Sequence, residues 1–426
     1  MKKKILVFPA GSEVALEIHR SLRYSMHFDL IGASSTNDHG KFTYEKHIEN
    51  IPYYNHPDFI KAIENIIHNE NIDAIIPAMD LVAHKLKENE NKLDCIIIGS
   101  SPITTATCLS KSATYLCLND TIPCPMWTKD LEMVKKYPVF IKPDKGYGSR
   151  NVKLAYTNEN AKSFIGDHPN TSFIFCENLP GNEFTIDCFS NRNGELLFHG
   201  VRQRVRVSNG ISVNTMESDK HKDLFSEIAV KINQKLKPRG AWFFQMKESK
   251  NGQPMLLEVA TRLAGSSSYF RAKGINFALL SAFDAFKYNI EIDINHYNVN
   301  LDRALGNRYK IDISYEQIFV DFDDCLIIDN QVNDELVKYI FQALNKGIKI
   351  SLITRHKGNL KKNLKKYKLY EIFDEIIHIK NNNPKSLYIK NKQSIFIDDS
   401  FHERLEVKKK HNIPVFSPDM VEMITI

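Results

Sequence analysis

A chain of 426 residues is too long for one hydrophobic core, so two or three domains are expected. Its 42% hydrophobic and 25% charged residues are the balance of an ordinary globular chain. The net charge of +6 is a mild excess, carried by lysine runs such as KGNLKKNLKKYK (357–368) that read as a solvated helix face, with no aromatic-interleaved basic motif to mark a nucleic-acid surface. No apolar run approaches the roughly 20 residues that span a bilayer. The short apolar run of MKKKILVFPAG reads as a first strand and not a signal sequence. Seven cysteines without a CxxC pair read as reduced thiols of a cytoplasmic protein.

Residues 1–105 alternate strand and helix: KILVFPAGS, then EVALEIHRSLR with helical spacing, FDLIGASS, the amphipathic HPDFIKAIENIIHNEN, IDAIIPAMD and DCIIIGSS. This alternation predicts an α/β domain with a parallel sheet covered on both faces. PAGS (9–12) and PAMD (77–80) fall at strand ends, where such sheets bind ligands, but PAGS is not a dinucleotide fingerprint. A Thr/Ser-rich connector and helix (101–125) lead into an α+β domain, bounded here as 106–310. Its strands are longer and suit antiparallel pairing, with hairpin turns at 191–194 and 251–252 and a helix over 222–236. After a bridge (296–314), a small parallel α/β domain is expected over 315–426. Its strands are 317–322, IKISLIT, EIIHI, SIFIDD and IPVFS, and its helices 333–346, 357–367, about 384–391 and 401–411.

The middle domain carries a phosphate-binding pattern. In VFIKPDKGYGSRNV (139–152) a strand delivers Lys142 ahead of a loop with Gly146, Gly148 and Ser149. Glycines let backbone N–H groups approach phosphate oxygens, and the lysine adds fixed positive charge. The spacing is not that of a Walker A loop. Lys111 lies upstream in LSKSATY, and FCENLPGNEFTID (175–187) sets Glu177 and Glu183 around a Pro-Gly turn. The hairpin FFQMKESKNGQPMLLEVATRLAG (243–265) supplies Gln245, Glu258 and Arg262. Two oxygen ligands and an arginine suit Mg²⁺ bridging nucleotide phosphates and the charge of a transferring phosphoryl group. In GVRQRVRVSNG (200–210), Arg202, Arg204 and Arg206 alternate, which predicts one shared strand face suited to a carboxylate or phosphate of a substrate.

Over residues 1–310 these motifs resemble the ATP-grasp superfamily, including the Rossmann-like domain that precedes its nucleotide domain. The resemblance implies that Lys111 and Lys142 hold ATP phosphates and that Gly146, Gly148 and Ser149 close over them. It implies further that Glu177, Asn178 and Leu179 grip adenine, Glu183 binds ribose, and Gln245 and Glu258 ligate Mg²⁺ or Mn²⁺. Many members read Glu-φ-Asn-Pro-Arg; here Val259, Ala260 and Thr261 follow Glu258, a variant similar to that of the L-amino acid ligases, and Gln245 resembles the carbamoyl phosphate synthetase type. Ala260 cannot coordinate, which leaves the number of metal ions open. The implied reaction is activation of a small-molecule carboxylate as an acyl phosphate, followed by coupling to an amine.

The last domain opens on FVDFDDCLIID (319–329), two aspartates at a strand end. Thr354 ends the next strand, Lys385 or Lys390 follows in NNNPKSLYIK, and Asp398 and Asp399 end another strand. An aspartate at one strand end could be a helix N-cap. Three separate strand ends, bearing Asp, Thr and Asp–Asp, together with a lysine instead suggest a shared site. One aspartate could attack phosphorus, a second could move protons, and Mg²⁺ could relieve their repulsion. Residues 315–426 resemble the haloacid dehalogenase-like phosphatases. By that resemblance Asp321 is the nucleophile and a metal ligand, Asp323 the acid/base and a metal ligand, Thr354 and Lys385 the phosphate holders, and Asp398 the ligand that completes the Mg²⁺ site, with Asp399 beside it. Cys325 departs from the family's usual residue, and one helix–strand unit between successive motifs leaves no room for a cap domain.

Together these readings predict a bifunctional cytoplasmic enzyme: an ATP-dependent carboxylate–amine ligase joined to a Mg²⁺-dependent phosphatase, one substrate or product being a phosphate ester. The alternatives are a ligase with a regulatory or structural C-terminal domain, or a non-catalytic nucleotide sensor. No nucleic-acid or membrane partner is expected, and a homodimer is the common default.

Overall fold

Ile5, Leu6, Val7 and Phe8 are all buried because strand β1 (Lys3–Phe8) has neighbours on both edges and cover on both faces. Alternate side chains leave it in opposite directions. Ile5 and Val7 pack with Ala15 and Ile18 of helix α1 (Glu13–Leu22), and Leu6 and Phe8 with Phe59 and Ile63 of α2 (Phe59–Glu70). With β2 (Phe28–Ala33), β3 (Lys46–Ile48), β4 (Ala74–Pro77) and β5 (Ile96–Ile97), β1 forms a parallel sheet of order β3-β2-β1-β4-β5. The order reverses between β1 and β4, and 9–12 and 78–80 lie beyond their carboxyl ends. Asp80 opens α3 (Asp80–Glu88); α4 (Pro102–Leu109) and α5 (Lys111–Leu118) follow, each with a serine side-chain N-cap.

The structure, a computed structural model, describes residues 2–425 other than Tyr147, Ser149, Asn209, Leu305, Asn307, Arg308 and Lys310. It divides into two units, Met1–Leu305 and Gly306–Ile426. The sequence-predicted segment 1–105 and all of 106–310 up to 305 share the first unit, because Tyr269, Phe277, Ala278 and Ala282 join the cluster of Ile5 and Val7.

Two antiparallel sheets complete the first unit. The smaller, ordered β6-β9-β7-β8, comprises β6 (Trp127–Thr128), β7 (Val139–Pro143), β8 (Lys153–Ala155) and β9 (Phe173–Glu177), with α6 (Asn158–Gly166) beside it. The larger contains β10 (Glu183–Ser190), β11 (Leu196–Ser208), β12 (Ile211–Glu217), β13 (Gly240–Glu248), β14 (Pro254–Ala260) and β15 (Asn300–Asp302), in the order β14-β13-β10-β11-β12-β15. Phe184, Ile186, Trp242, Phe244 and Met246 share one face and pack on Phe225, Ile228 and Ile232 of α7 (Lys222–Leu236). The register places Glu183, Asp187, Arg202, Gln245, Lys247 and Glu258 on the other face. An apolar face and a charged face on one sheet are what the alternation of β10 and β13 dictates. Two short helices, α8 (Ser268–Ala272) and α9 (Phe277–Ala285), precede β15.

The second unit is built on β16 (Gln317–Val320). A two-stranded ribbon follows, β17 (Ile327–Ile328) and β18 (Gln331–Val332), then α10 (Asp334–Asn345), β19 (Lys349–Thr354), α11 (Leu360–Lys366), β20 (Glu375–His378), β21 (Ser394–Ile397), α12 (Phe401–His411), β22 (Val415–Phe416) and α13 (Val421–Ile424). The sheet is parallel, ordered β20-β19-β16-β21-β22, and reverses between β16 and β21. The helix expected over about 384–391 is only a 3₁₀ turn, Lys385–Leu387. Lys385 and Ser386 are both buried there, tied to Asp398 and Glu406, and these contacts override the local helical preference. Among the described residues no helix is long and apolar enough to cross a membrane.

Candidate functional sites

On the charged face of the larger sheet lies a cavity of about 600 Å³. Every described residue that the sequence assigned to ATP lines it: Lys111, Lys142, Gly146, Gly148, Glu177, Asn178, Leu179 and Glu183. Gln245 and Glu258, directly opposed on β13 and β14, line it too. Ser149 lies outside the described residues. Arg262 lines an adjoining hollow of about 60 Å³ that shares Lys111, Gly146, Gly148 and Glu258 with the main cavity. Its guanidinium donates to Asp80 at 2.8 Å and lies over the Phe243 ring. The strand end PAMD of the first sheet therefore reaches this second hollow.

Lys142 is buried, and its ammonium donates to the Tyr115 hydroxyl at 2.8 Å; that hydroxyl donates in turn to the Leu257 carbonyl at 2.7 Å. Burial pulls the lysine below its ordinary value, which Cys176, Glu258 and Glu183 counter in part. A buried cation whose nearest hydrogen-bond partner is neutral is poised for an incoming anion. Lys111 is held by Asp144, a residue the sequence did not single out. The Asp144 carboxylate accepts from the Ser112 backbone at 2.8 Å and from the hydroxyls of Ser110 and Ser112, at the start of α5. The Asp144 carbonyl accepts from the Lys111 N–H at 3.0 Å. Asp144 falls two residues after Lys142 in the chain, yet nothing in that spacing distinguishes a helix-anchoring acid from a loop acid.

The three alternating arginines do not share a face. The strand register shifts between Arg204 and Arg206: Arg204 opposes Thr215 and Arg206 opposes Asn214, adjacent positions of β12. This bulge breaks the period of two on which the expectation rested. Arg204 alone lines the cavity, donating to Glu183, to Gln245 at 3.3 Å and to the Gly210 carbonyl at 2.7 Å. Arg206 is exposed and paired with Asp302. Arg202 is 1% exposed and donates to Asp187 at 2.6 Å. Removing one member of such a buried pair strands the other's charge. Asp187→Ala is therefore expected to destabilise the first unit by about 3–5 kcal/mol in urea unfolding. Asp302→Ala should leave the urea midpoint unchanged.

In the second unit Asp321 follows β16 and Asp398 follows β21, the two strands between which the order reverses. Lys385 stands between them, 2.8 Å from Asp321 and 2.6 Å from Asp398. Its contact with Asp398 is an aligned hydrogen bond. Its approach to Asp321 is an ion pair without that alignment, and Asp321 Oδ1 is buried without a hydrogen-bond partner. Burial raises Asp321 and lifts Asp398 to about 6, against the pull of Lys385; burial would lower Lys385, but the two carboxylates outweigh it and raise it. Thr354 ends the neighbouring strand and is buried. Lys390, the rival to Lys385, takes no part in these contacts.

Asp321, Asp398 and Asp399 each offer an oxygen within 4.8 Å of the others. Three carboxylates whose oxygens converge in this way fit a hard divalent cation. The Asp323 side chain does not join this group. It is half exposed and turned to His356, a residue the sequence reading passed over although it lies two places after Thr354.

The family model described as "ATP-grasp in the biosynthetic pathway with Ter operon" matches residues 170–301. No curated protein sequence matches the chain. Among solved structures, the chain resembles the biotin carboxylase domain of 2-oxoglutarate carboxylase from Hydrogenobacter thermophilus, solved with MgADP, ADP and bicarbonate (15% identity, TM-score 0.58, 68% of this chain and 71% of that one). It resembles biotin carboxylase from Campylobacter jejuni in its β-γ-ATP complex (17%, 0.57, 69% and 74%). It also resembles N5-carboxyaminoimidazole synthetase from Staphylococcus aureus with ADP (14%, 0.58, 69% and 80%). At such identities the likeness is one of fold: a mixed α/β architecture of ATP-grasp type.

Proposed function

We propose that the chain is a bifunctional enzyme: an ATP-dependent carboxylate–amine ligase in its first unit and a phosphatase acting through an aspartyl phosphate in its second. The observation that carries the first half is the convergence of Lys111, Lys142, Gly146, Gly148, Glu183, Gln245 and Glu258, from separate stretches of sequence, on one cavity of about 600 Å³. The neighbours of like fold that bind ADP, MgADP or an ATP analogue support it.

In this reading Lys142 and Lys111 take the phosphates of ATP, the glycine loop covers them, and the 177–179 segment and Glu183 take the nucleoside. A carboxylate oxygen of the acid attacks the γ-phosphorus and ADP leaves. Arg262, in the hollow beyond, faces the charge that develops. An amine then attacks the acyl carbon, and phosphate departs as the amide forms. Gln245 with Glu258, and Asp321 with Asp398 and Asp399, would hold Mg²⁺, which when bound neutralises phosphoryl oxygens at each site.

In the second unit Asp321 attacks the phosphorus of an ester while Thr354 and Lys385 hold its oxygens. Asp323 gives a proton to the leaving alkoxide and later takes one from the water that opens the aspartyl phosphate. Without a cap, the site would accept a large ester, such as one carried through the ligation. Two measurements on the full chain test this. Titration with ATP should show saturable binding that strengthens with Mg²⁺. Hydrolysis of p-nitrophenyl phosphate should stop on chelation and return with Mg²⁺. ATP binding without any phosphate release would leave the second unit as a regulatory or structural module.

A further inference from the structure

After Thr354 the chain reads Arg355-His356-Lys357-Gly358, and the His356 ring lies against Asp323. Its Nδ1 is 2.8 Å from Asp323 Oδ1 and 3.0 Å from Oδ2. Nδ1 carries the ring hydrogen in either state of Asp323: an ionised carboxylate accepts it, and a protonated one accepts it on its carbonyl oxygen while the other oxygen carries the proton for the leaving group. On the other side of the ring, Asn363 Nδ2 in α11 lies 2.7 Å from Nε2, to which it donates. Such a donor fixes which ring nitrogen holds the hydrogen.

The ring's place is built on every side. Phe322 meets it edge-on at 5.0 Å between centroids. A Cβ at Gly358 would stand 2.7 Å from Nε2, so a side chain there would displace the ring. The His356 backbone N–H donates to Thr354 Oγ1 at 3.1 Å, and its carbonyl accepts from His378 at 2.8 Å. The imidazole is thus 14% exposed although the carboxylate it holds is 51% exposed. An exposed aspartate otherwise samples several rotamers, and a proton donor must sit within hydrogen-bond reach of its target.

We infer that His356 is a positioning residue: with Asn363 behind it, it holds the Asp323 carboxylate toward the leaving oxygen and so determines how well esters with poor leaving groups are cleaved. The inference rests on the phosphatase reading of this site. Its chemical consequence is selective. An alkyl phosphate expels a strongly basic alkoxide and needs the proton that Asp323 delivers. p-Nitrophenyl phosphate expels a stable phenolate and does not.

The test compares kcat/KM, which reports steps up to the first phosphoryl transfer, for glycerol 2-phosphate and p-nitrophenyl phosphate in the full chain with Mg²⁺. His356→Ala should lower kcat/KM for glycerol 2-phosphate about 10- to 100-fold, a part of the range general acids contribute. The value for p-nitrophenyl phosphate should fall less than about threefold. His356→Asn, which restores a donor near the Nδ1 position, should recover part of the loss, and Asn363→Ala should show the same selectivity more weakly. Equal losses on both esters, or no loss on either, would overturn the assignment while leaving the phosphatase reading standing. A wild-type chain that hydrolyses neither ester overturns both.

Discussion

Asp321→Asn is expected to abolish release of phosphate from p-nitrophenyl phosphate, by roughly 10³-fold or more, because the amide cannot form the aspartyl phosphate. The substitution keeps the shape of a side chain that is 6% exposed. It also leaves Lys385 its aligned hydrogen bond to Asp398, so the strand ends that frame the site are retained. ATP binding by the first unit should be unchanged, since every residue assigned to it lies before position 305. Phosphate release persisting in this variant would remove Asp321 from the role of nucleophile.

The second large effect concerns Lys142. Lys142→Met, a swap of similar volume, should weaken ATP binding about 10- to 100-fold, the range of one or two lost hydrogen bonds to a charged group. It should not unfold the protein. A buried ammonium paired mainly with the Tyr115 hydroxyl and a carbonyl is a desolvation cost in the nucleotide-free fold, and an apolar replacement removes that cost. The pH dependence follows. Folding lowers the lysine from 10.5, so between its lowered value and 10.5 the unfolded chain binds more protons than the native one. Stability should rise with pH through that window in the wild type, and Lys142→Met should lose the rise. A variant that melts earlier while retaining ATP affinity would show that the lysine is structural.

Much of the fold could be read from periodicity where a segment faces a single environment. The helix over 222–236 shows its stripe of Phe225, Ile228 and Ile232, and the strands at 317, 349 and 394 are short apolar runs because helices cover both faces of their sheet. The edge elements were not legible. β15, at the rim of the large sheet, has only three residues of mixed character, and β3, at the rim of the first sheet, also has three. The residues that converge on the cavity stand out in the sequence as types that phosphate chemistry requires. The anchoring roles of Asp144 and Asp80 depend on contacts between distant segments, which spacing does not encode. Arg206 leaves the expected face for a local reason: a bulge inserts one residue, and an alternation argument fails past it. Arg202 keeps that face but is taken up by Asp187, a pairing that spacing does not encode. His356 was passed over because its meaning depends on the turn that brings it to Asp323, a turn that needs Gly358.

The proposed pairing of chemistries rests first on the ligase. Its most direct test is ADP release from ATP and Mg²⁺ by the full chain over a panel of small carboxylates paired with amines and phosphorylated amines, with products weighed by mass spectrometry. The account predicts that at least one pair yields ADP together with a product whose mass is that of acid plus amine less water. With a phosphorylated amine, that product should further lose its phosphate in the wild type but not in Asp321→Asn. ADP formed by no pair, or formed equally without any carboxylate or amine, would contradict it.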